Sequence, residues 1–63
     1  MGAVMNDLHK ITLMAQAAAN RANAPMAILN LNLYGKLYVV REWNDCYIGS
    51  RELVARVMPA QGE

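Results

Sequence analysis

The sequence has one cysteine, one histidine, two prolines and no phenylalanine among its 63 residues. The single cysteine, Cys46, excludes an internal disulfide, and the single histidine, His9, leaves too few ligands for a structural zinc site. A chain of this length buries only about 60% of the surface that its unfolded form exposes, so its core is marginal. Because neither a disulfide nor a structural zinc site is available, we expect a partner or self-association to supply the missing stability. We expect no cofactor and no metal.

The chain also lacks a large excess of positive or negative charge, since the formal net charge is +1 and the sequence pI is about 7.9. Dedicated nucleic-acid-binding domains commonly exceed a pI of about 9. The longest apolar run falls short of the ~18 residues that a membrane span requires. The N-terminus lacks the basic and apolar regions of a signal peptide. With one thiol and no export signal, the sequence predicts a cytoplasmic protein.

The chain is instead rich in apolar residues: 56% of its residues are hydrophobic and 17% are charged. Residues 6–24 are predicted to form a helix, because apolar residues recur there at spacings of three and four. The side chain of Asn6 or Asp7 can accept hydrogen bonds from the free backbone amides at the start of this helix. Pro25 ends the helix, because the residue before a proline is disfavoured in helical geometry. The apolar face consists of Leu8, Ile11, Ala15, Ala18, Ala19 and Ala22.

The stretch AILNLNLYGKLYVVREW, which starts at Ala27, predicts an antiparallel β-hairpin with two alternative registers. A two-residue turn at positions 35–36 leaves both faces mixed. A three-residue loop at positions 33–35 places Leu29 opposite Val39 and needs a left-handed glycine at Gly35. We favour the second register because it separates apolar from polar side chains. It predicts that the helix covers Leu29, Leu31, Leu37, Val39 and Trp43.

The opposite face of the hairpin carries the asparagines and is predicted to be exposed. Ile28, Tyr38 and Val40 interrupt that polar face. Tyrosine and tryptophan are enriched at binding hot spots, because they offer large rigid contact area. A protein partner is therefore predicted to bind at Ile28, Asn30, Tyr38, Val40 and Trp43.

The remaining residues predict a turn at Asn44-Asp45, an optional third strand at residues 46–48, and a short C-terminal helix over RELVARVM. Ser50 is the predicted N-cap of that helix. The predicted fold class is α+β, with an N-terminal helix, an antiparallel β-hairpin, a possible short third strand and a short C-terminal helix (α-β-β-(β)-α). We expect a single domain over residues 1–63, with residues 1–5 and 59–63 flexible.

The predicted order of elements resembles the architecture of double-stranded-RNA-binding domains. The segment IGSRELVARV resembles the strand-to-helix junction of that family. The lysine cluster of that family is absent here, since Arg51 is followed by Glu52, and no residue is carried over from it. Independently of any family, binding to nucleic acid rests on several cations that meet phosphates together. A nucleic-acid-binding regulator is therefore the alternative prediction, with Lys36, Arg41, Arg51 and Arg56 as its contacts.

Catalysis is not predicted. Cys46 and His9 are the only candidates for a nucleophile and its base, and nothing in the sequence brings them together. Cys46 is expected to fill space at a strand edge as a small hydrophobe, and His9 to lie on the polar side of the helix. The favoured prediction is a small non-enzymatic interaction protein. It is a homodimer, or an inhibitor or adaptor on a larger protein, in a regulatory or counter-defence setting of a bacterium or its viruses.

Overall fold

A computed structural model describes residues 4–5, 7–32 and 34–60, with side chains from Asp7 onward. Within these residues the chain forms an N-terminal helix beside an antiparallel sheet, so the predicted α+β class is confirmed. The elements are β1 (Val4–Met5), α1 (Leu8–Ala22), β2 (Met26–Asn30), β3 (Tyr38–Glu42) and β4 (Leu53–Val57), with a 3-10 helix at Asp45–Tyr47. The sheet has the strand order β1-β3-β2-β4.

Helix α1 begins and ends where its sequence signals lie. The Asp7 side chain accepts a hydrogen bond from Lys10 N at 3.2 Å, which satisfies one of the free amides of the first turn. Asn23 takes a left-handed conformation with φ 52°, which stops the helix two residues before Pro25. Asn6, the other predicted cap, lies outside the described residues. The helix buries Ile11, Ala15 and Ala19, whose mostly small side chains let it lie close to the sheet.

The favoured hairpin register is confirmed, because Leu29 lies opposite Val39 and Ala27 opposite Arg41. One further backbone bond, from Leu31 N to Leu37 O at 2.9 Å, extends the pairing beyond the regular strands. The predicted left-handed conformation of Gly35 is wrong. Among the glycines of the described residues, only Gly49 has a positive φ.

The prediction that α1 covers the leucine face is wrong, because α1 packs on the other face of the sheet. Ile28 pairs with Val40 on one side and with Ala55 on the other, so these residues form an apolar row across three strands. The equivalent row on the second face is Arg41, Ala27 and Arg56, which offers a helix much less apolar contact. The core beneath α1 is formed by Ile11, Ala15, Ala19, Met26, Ile28, Tyr38, Val40 and Val57.

The second face of the sheet is covered as well, by the segment that connects β3 to β4. Ala27, Leu29 and Val39 are buried there. Trp43, Tyr47 and Leu53 are only partly buried and pack against them. Both faces of the sheet therefore contribute core, which explains why each hairpin face carries apolar residues.

The predicted C-terminal helix is wrong, since its residues form strand β4, and the optional third strand is replaced by the 3-10 helix. Ser50 does accept a hydrogen bond from Glu52 N at 3.2 Å, but this bond closes a turn before the strand. The Asn30 N–H donates to Glu52 O at 2.8 Å and so continues the pairing of β2 with β4. β-Branched residues such as Val54 and Val57 suit this pleated edge. The segment similar to an RNA-binding strand-to-helix junction is thus a turn and a strand.

The chain ends described by the structure are tied to the fold. Val4 and Met5 pair with β3, and the expected flexibility of residues 1–5 and 59–63 stays a prediction. At the other end, Gln16 donates to Met58 O at 2.8 Å and Ala60 N donates to Asn20 at 2.7 Å. Residues 1–3 and 61–63 lie outside the described residues. Among the described residues, no helix combines the length and apolarity needed to cross a membrane.

Candidate interaction site

The hairpin loop, residues 31–37, is held by the side chain of Asn30 at the end of β2. Its Oδ1 accepts hydrogen bonds from Asn32 N and Leu37 N, both at 3.1 Å. Its Nδ2 donates to Gly35 O at 3.2 Å. One amide side chain thus uses two acceptor sites and a donor to tie three points of the loop backbone together.

Asn32 adds a second set of bonds inside the same loop. Its Oδ1 accepts from Tyr34 N at 3.0 Å, and its carbonyl accepts from Gly35 N at 3.2 Å. A Cβ at Gly35 would lie 3.1 Å from Asn32 Nδ2, so the absence of a side chain at Gly35 allows this close approach. The two asparagines therefore fix the loop without help from a left-handed glycine.

The loop presents apolar side chains to solvent, which we name the loop surface: Tyr34, Leu31 and Leu37. Tyr34 is 100% exposed, Leu31 44% and Leu37 39%. By register, Leu31 and Leu37 lie on the same face as buried Leu29 and Val39. The loop surface therefore continues the buried cluster of Ala27, Leu29 and Val39 outward to an exposed tip.

The structure does not bring the predicted partner-binding residues together on one exposed surface. Ile28, Tyr38 and Val40 are 0%, 6% and 7% exposed and lie in the core beneath α1. Asn30 is half-buried and its side chain is engaged within the loop. Trp43 packs on the opposite face of the sheet. Binding of a partner by these residues stays a prediction, but three of them have almost no surface to offer.

The loop surface was missed because hairpin periodicity alone places Leu31 and Leu37 in a core. The sequence does contain a usable signal, since the asparagines of NLNLYG flank a turn, where asparagine side chains commonly bond to nearby backbone. That signal predicts an ordered loop, and an ordered loop keeps its apolar side chains where a partner can reach them.

Beside the buried cluster of Ala27, Leu29 and Val39, an aromatic and cationic cluster holds the 3-10 helix in place. Trp43 Nε1 donates to Asp45 Oδ1 at 3.0 Å. The rings of Trp43 and Tyr47 meet edge to face, with centroids 6.1 Å apart. The Arg56 guanidinium lies 4.6 Å from the centroid of the Trp43 ring, a cation–π distance. These contacts hold residues 43–47 over the second face.

Sheet register brings only some of the predicted phosphate-binding cations together. Arg41 and Arg56 flank Ala27 from the two neighbouring strands, on the second face. Lys36 lies in the hairpin loop, at the opposite end of β3 from Arg41. Arg51 precedes Glu52, whose carbonyl meets Asn30 N, and therefore also lies toward the loop end of the sheet. Phosphate binding by these residues stays a prediction.

The two residues considered for nucleophilic chemistry are both exposed. His9 is exposed on α1, and Cys46 is exposed in the 3-10 helix, where its amide donates to Asn44 Oδ1 at 2.9 Å. The prediction that Cys46 fills space at a strand edge is wrong, because the 3-10 turn replaces the strand. No group of three or more His, Cys, Asp or Glu side chains suited to a metal ion occurs among the described residues.

A groove with a volume of about 740 Å³ lies between α1 and β3, and we name it the α1–β3 groove. Its helical wall includes Met14, Ala18 and Arg21. Arg41 and Trp43 contribute to the opposite wall. Both walls thus combine an apolar surface with a guanidinium group.

Comparison of the chain with protein-family models, curated proteins and solved structures finds no match. Two surfaces of the chain are therefore the candidates for function. The conformation of the loop surface is fixed by side-chain hydrogen bonds from Asn30 and Asn32. The α1–β3 groove offers a concave space of about 740 Å³.

Proposed function

We propose that this chain is a small interaction protein that docks on a larger protein through the loop surface, as an inhibitor or adaptor. The observation that carries the proposal is the fully exposed Tyr34 on a loop pinned by Asn30. Ordering a loop on binding costs conformational entropy, and a loop that is already ordered avoids that cost. Tyrosine is one of the residue types enriched among those that dominate the binding energy of protein interfaces.

The free energy available from burying the loop surface is large enough to support binding of a partner. Full burial of a leucine-sized apolar side chain contributes about 1.5–3 kcal/mol. Leu31 and Leu37 are already partly covered in the free protein, so each adds less, and Tyr34 contributes most because it is fully exposed. A partner with an apolar cleft wide enough for one aromatic ring suits this surface. The size and composition that suggested a cytoplasmic regulatory or counter-defence role in a bacterium or its viruses also fit this proposal.

The proposal is tested with immobilised wild-type protein and extract of the cells that produce it. The partner is identified by mass spectrometry, purified, and its affinity measured for Tyr34→Ala and Leu37→Ser. We expect affinity to fall at least about tenfold for Tyr34→Ala, which corresponds to about 1.4 kcal/mol. Leu13→Ser is the matched control for Leu37→Ser, since Leu13 is 59% exposed on α1. Equal affinity of wild type and Tyr34→Ala would refute docking through the loop.

A homodimer is the other form of this proposal, in which the loop surface meets a second copy. Sedimentation equilibrium at tens of micromolar distinguishes the two forms. Self-association that weakens with Tyr34→Ala supports a homodimer. A monomer that binds its purified partner supports the inhibitor or adaptor.

A nucleic-acid-binding regulator is the second candidate, favoured by the convergence of Arg41 and Arg56 on one sheet face beside Trp43. Such binding weakens steeply with salt because released counterions drive it. Binding to single-stranded and duplex oligonucleotides at low salt is measured by fluorescence anisotropy. Loss in the double variant Arg41→Gln/Arg56→Gln, with retention in Lys10→Gln, supports this candidate. No binding at low salt refutes it.

A further inference from the structure

The α1–β3 groove has one wall from the helix and one from the edge of the sheet. Met14, Ala18 and Ala22 line the helical wall, where their spacing of four residues places them on one side of α1. Met14 is 41% exposed, and Ala22 is also exposed. Small side chains at two of these three positions leave room for a flat molecule against the helix.

Positive charge faces this space from both walls. Arg21 extends from the last turn of α1, and Arg41 from β3, and both guanidinium groups are on exposed residues that line the groove. Glu42 contributes the one carboxylate among the described lining residues, so the formal charge of that lining is +2 − 1 = +1. A guanidinium binds phosphate or carboxylate with paired N–H groups, so each of these two lining arginines is suited to contact an anion in the groove.

Aromatic and polar groups also line the groove. Trp43 and Tyr47 are among its lining residues, as is Asn44, which lies between them in sequence. The Asn44 Oδ1 is engaged by Cys46 N at 2.9 Å, which orients the amide. The volume of about 740 Å³ lies within the ~300–1,000 Å³ that is usual for small-molecule sites.

We propose that the α1–β3 groove binds a small organic anion with a flat aromatic body, of the chemical class of nucleoside monophosphates. Arg21 and Arg41 bind the anionic group, and the side chains of Met14, Ala18 and Ala22 contact the ring. Glu42 and Asn44 supply an acceptor and an amide for the polar ring edge. This site is separate from the loop surface, so the proposal goes beyond docking on a partner protein.

The test is a titration of the full chain, labelled with nitrogen-15, with adenosine monophosphate followed by amide chemical shifts. We expect saturable shifts centred on Ala22, Glu42 and Asn44, with a dissociation constant below about 1 mM. Adenosine and inorganic phosphate, each lacking one half of the ligand, should bind at least about tenfold more weakly. Equal binding of inorganic phosphate, shifts that map elsewhere, or no saturation would each overturn the proposal.

Variants separate the two halves of the site. Arg21→Gln and Arg41→Gln should each weaken adenosine monophosphate binding about tenfold, because each removes a charge-assisted contact. Arg51→Gln is the matched control, since Arg51 is exposed but does not line the groove. Ala22→Phe should abolish binding by filling the groove from an exposed helical position. Binding unchanged in both arginine variants overturns the proposal, and the amide spectrum of each variant shows that it is folded.

Discussion

Replacing Asn30 by alanine removes the hydrogen bonds that hold the hairpin loop while leaving both strands in place. The side chain bonds to Asn32 N, Leu37 N and Gly35 O at 3.1–3.2 Å. After the substitution these loop groups must bond to water, which reaches most of them because the loop residues are exposed. The free energy lost is therefore the net value of each bond rather than the cost of an unpaired buried group.

A typical intramolecular hydrogen bond contributes about 0.5–1.5 kcal/mol net to stability. Three bonds at the lower end of that range, which suits a half-buried side chain, give about 1.5 kcal/mol for Asn30→Ala. For a chain of this length, 1 kcal/mol shifts Tm by about 4–8 °C, so we expect Tm to fall by about 6–12 °C. Among the described residues, Asn32→Ala removes one side-chain bond, that to Tyr34 N, and should cost only about 0.5 kcal/mol.

The measurement is urea unfolding followed by circular dichroism, together with hydrogen exchange of the Leu37 amide. That amide donates to Asn30 Oδ1, so its protection should fall in Asn30→Ala and persist in Asn32→Ala. If Asn30→Ala unfolds at the wild-type urea concentration, or if both variants cost the same, the loop is not held as described. The loop surface would then not be preorganised for binding a partner.

Further predictions concern the two cores, the connecting turn and the cation–π contact. Ile28→Ala should cost about 2–5 kcal/mol in urea unfolding, because Ile28 is fully buried. Ile48→Ala, at a residue that is 68% exposed, should cost under about 0.5 kcal/mol, and a similar cost for both would contradict the assigned core. Gly49→Ala should cost about 1 kcal/mol from backbone strain alone, since φ is 81° and nothing crowds a Cβ there; an unchanged Tm would contradict it. Arg56→Lys should cost about 0.5 kcal/mol and change the fluorescence of Trp43, the single tryptophan, whereas an unchanged spectrum would contradict the contact.

Local parts of the fold were predictable from the sequence because their causes are close along the chain. The helix cap at Asp7 and the stop before Pro25 each depend on neighbours within a few residues. The hairpin register follows from alternation and loop length, and the structure has Leu29 opposite Val39 as expected.

The segment after Tyr47 was not predictable in the same way. The residues RELVARVM carry signals of a helix start at Ser50 and also the β-branched side chains of a strand. The outer edge of β2 is available for pairing, and Asn30 N bonds to Glu52 O across it. Pairing with a strand more than twenty residues away in sequence therefore overrode the local helix signal.

The site shows the same division. Aromatic and asparagine residues in the hairpin indicated a binding surface, but periodicity placed Ile28, Tyr38 and Val40 on it, whereas α1 buries all three. Tyr34 emerged only from the conformation of the loop, in which a side chain of β2 bonds to backbone groups up to Leu37.

By itself the sequence determined the helix, the strand pairing of the hairpin and which residues share each face of the hairpin. Each of these follows from spacing along the chain. Only the tertiary structure decided which face receives α1. Strand β4 adds Ala55 and Val57 to one side of the sheet and Arg56 to the other, and a helix packs on the side with more apolar area. The leucine face was left for Trp43 and Tyr47 to cover, with its last leucines exposed at the loop.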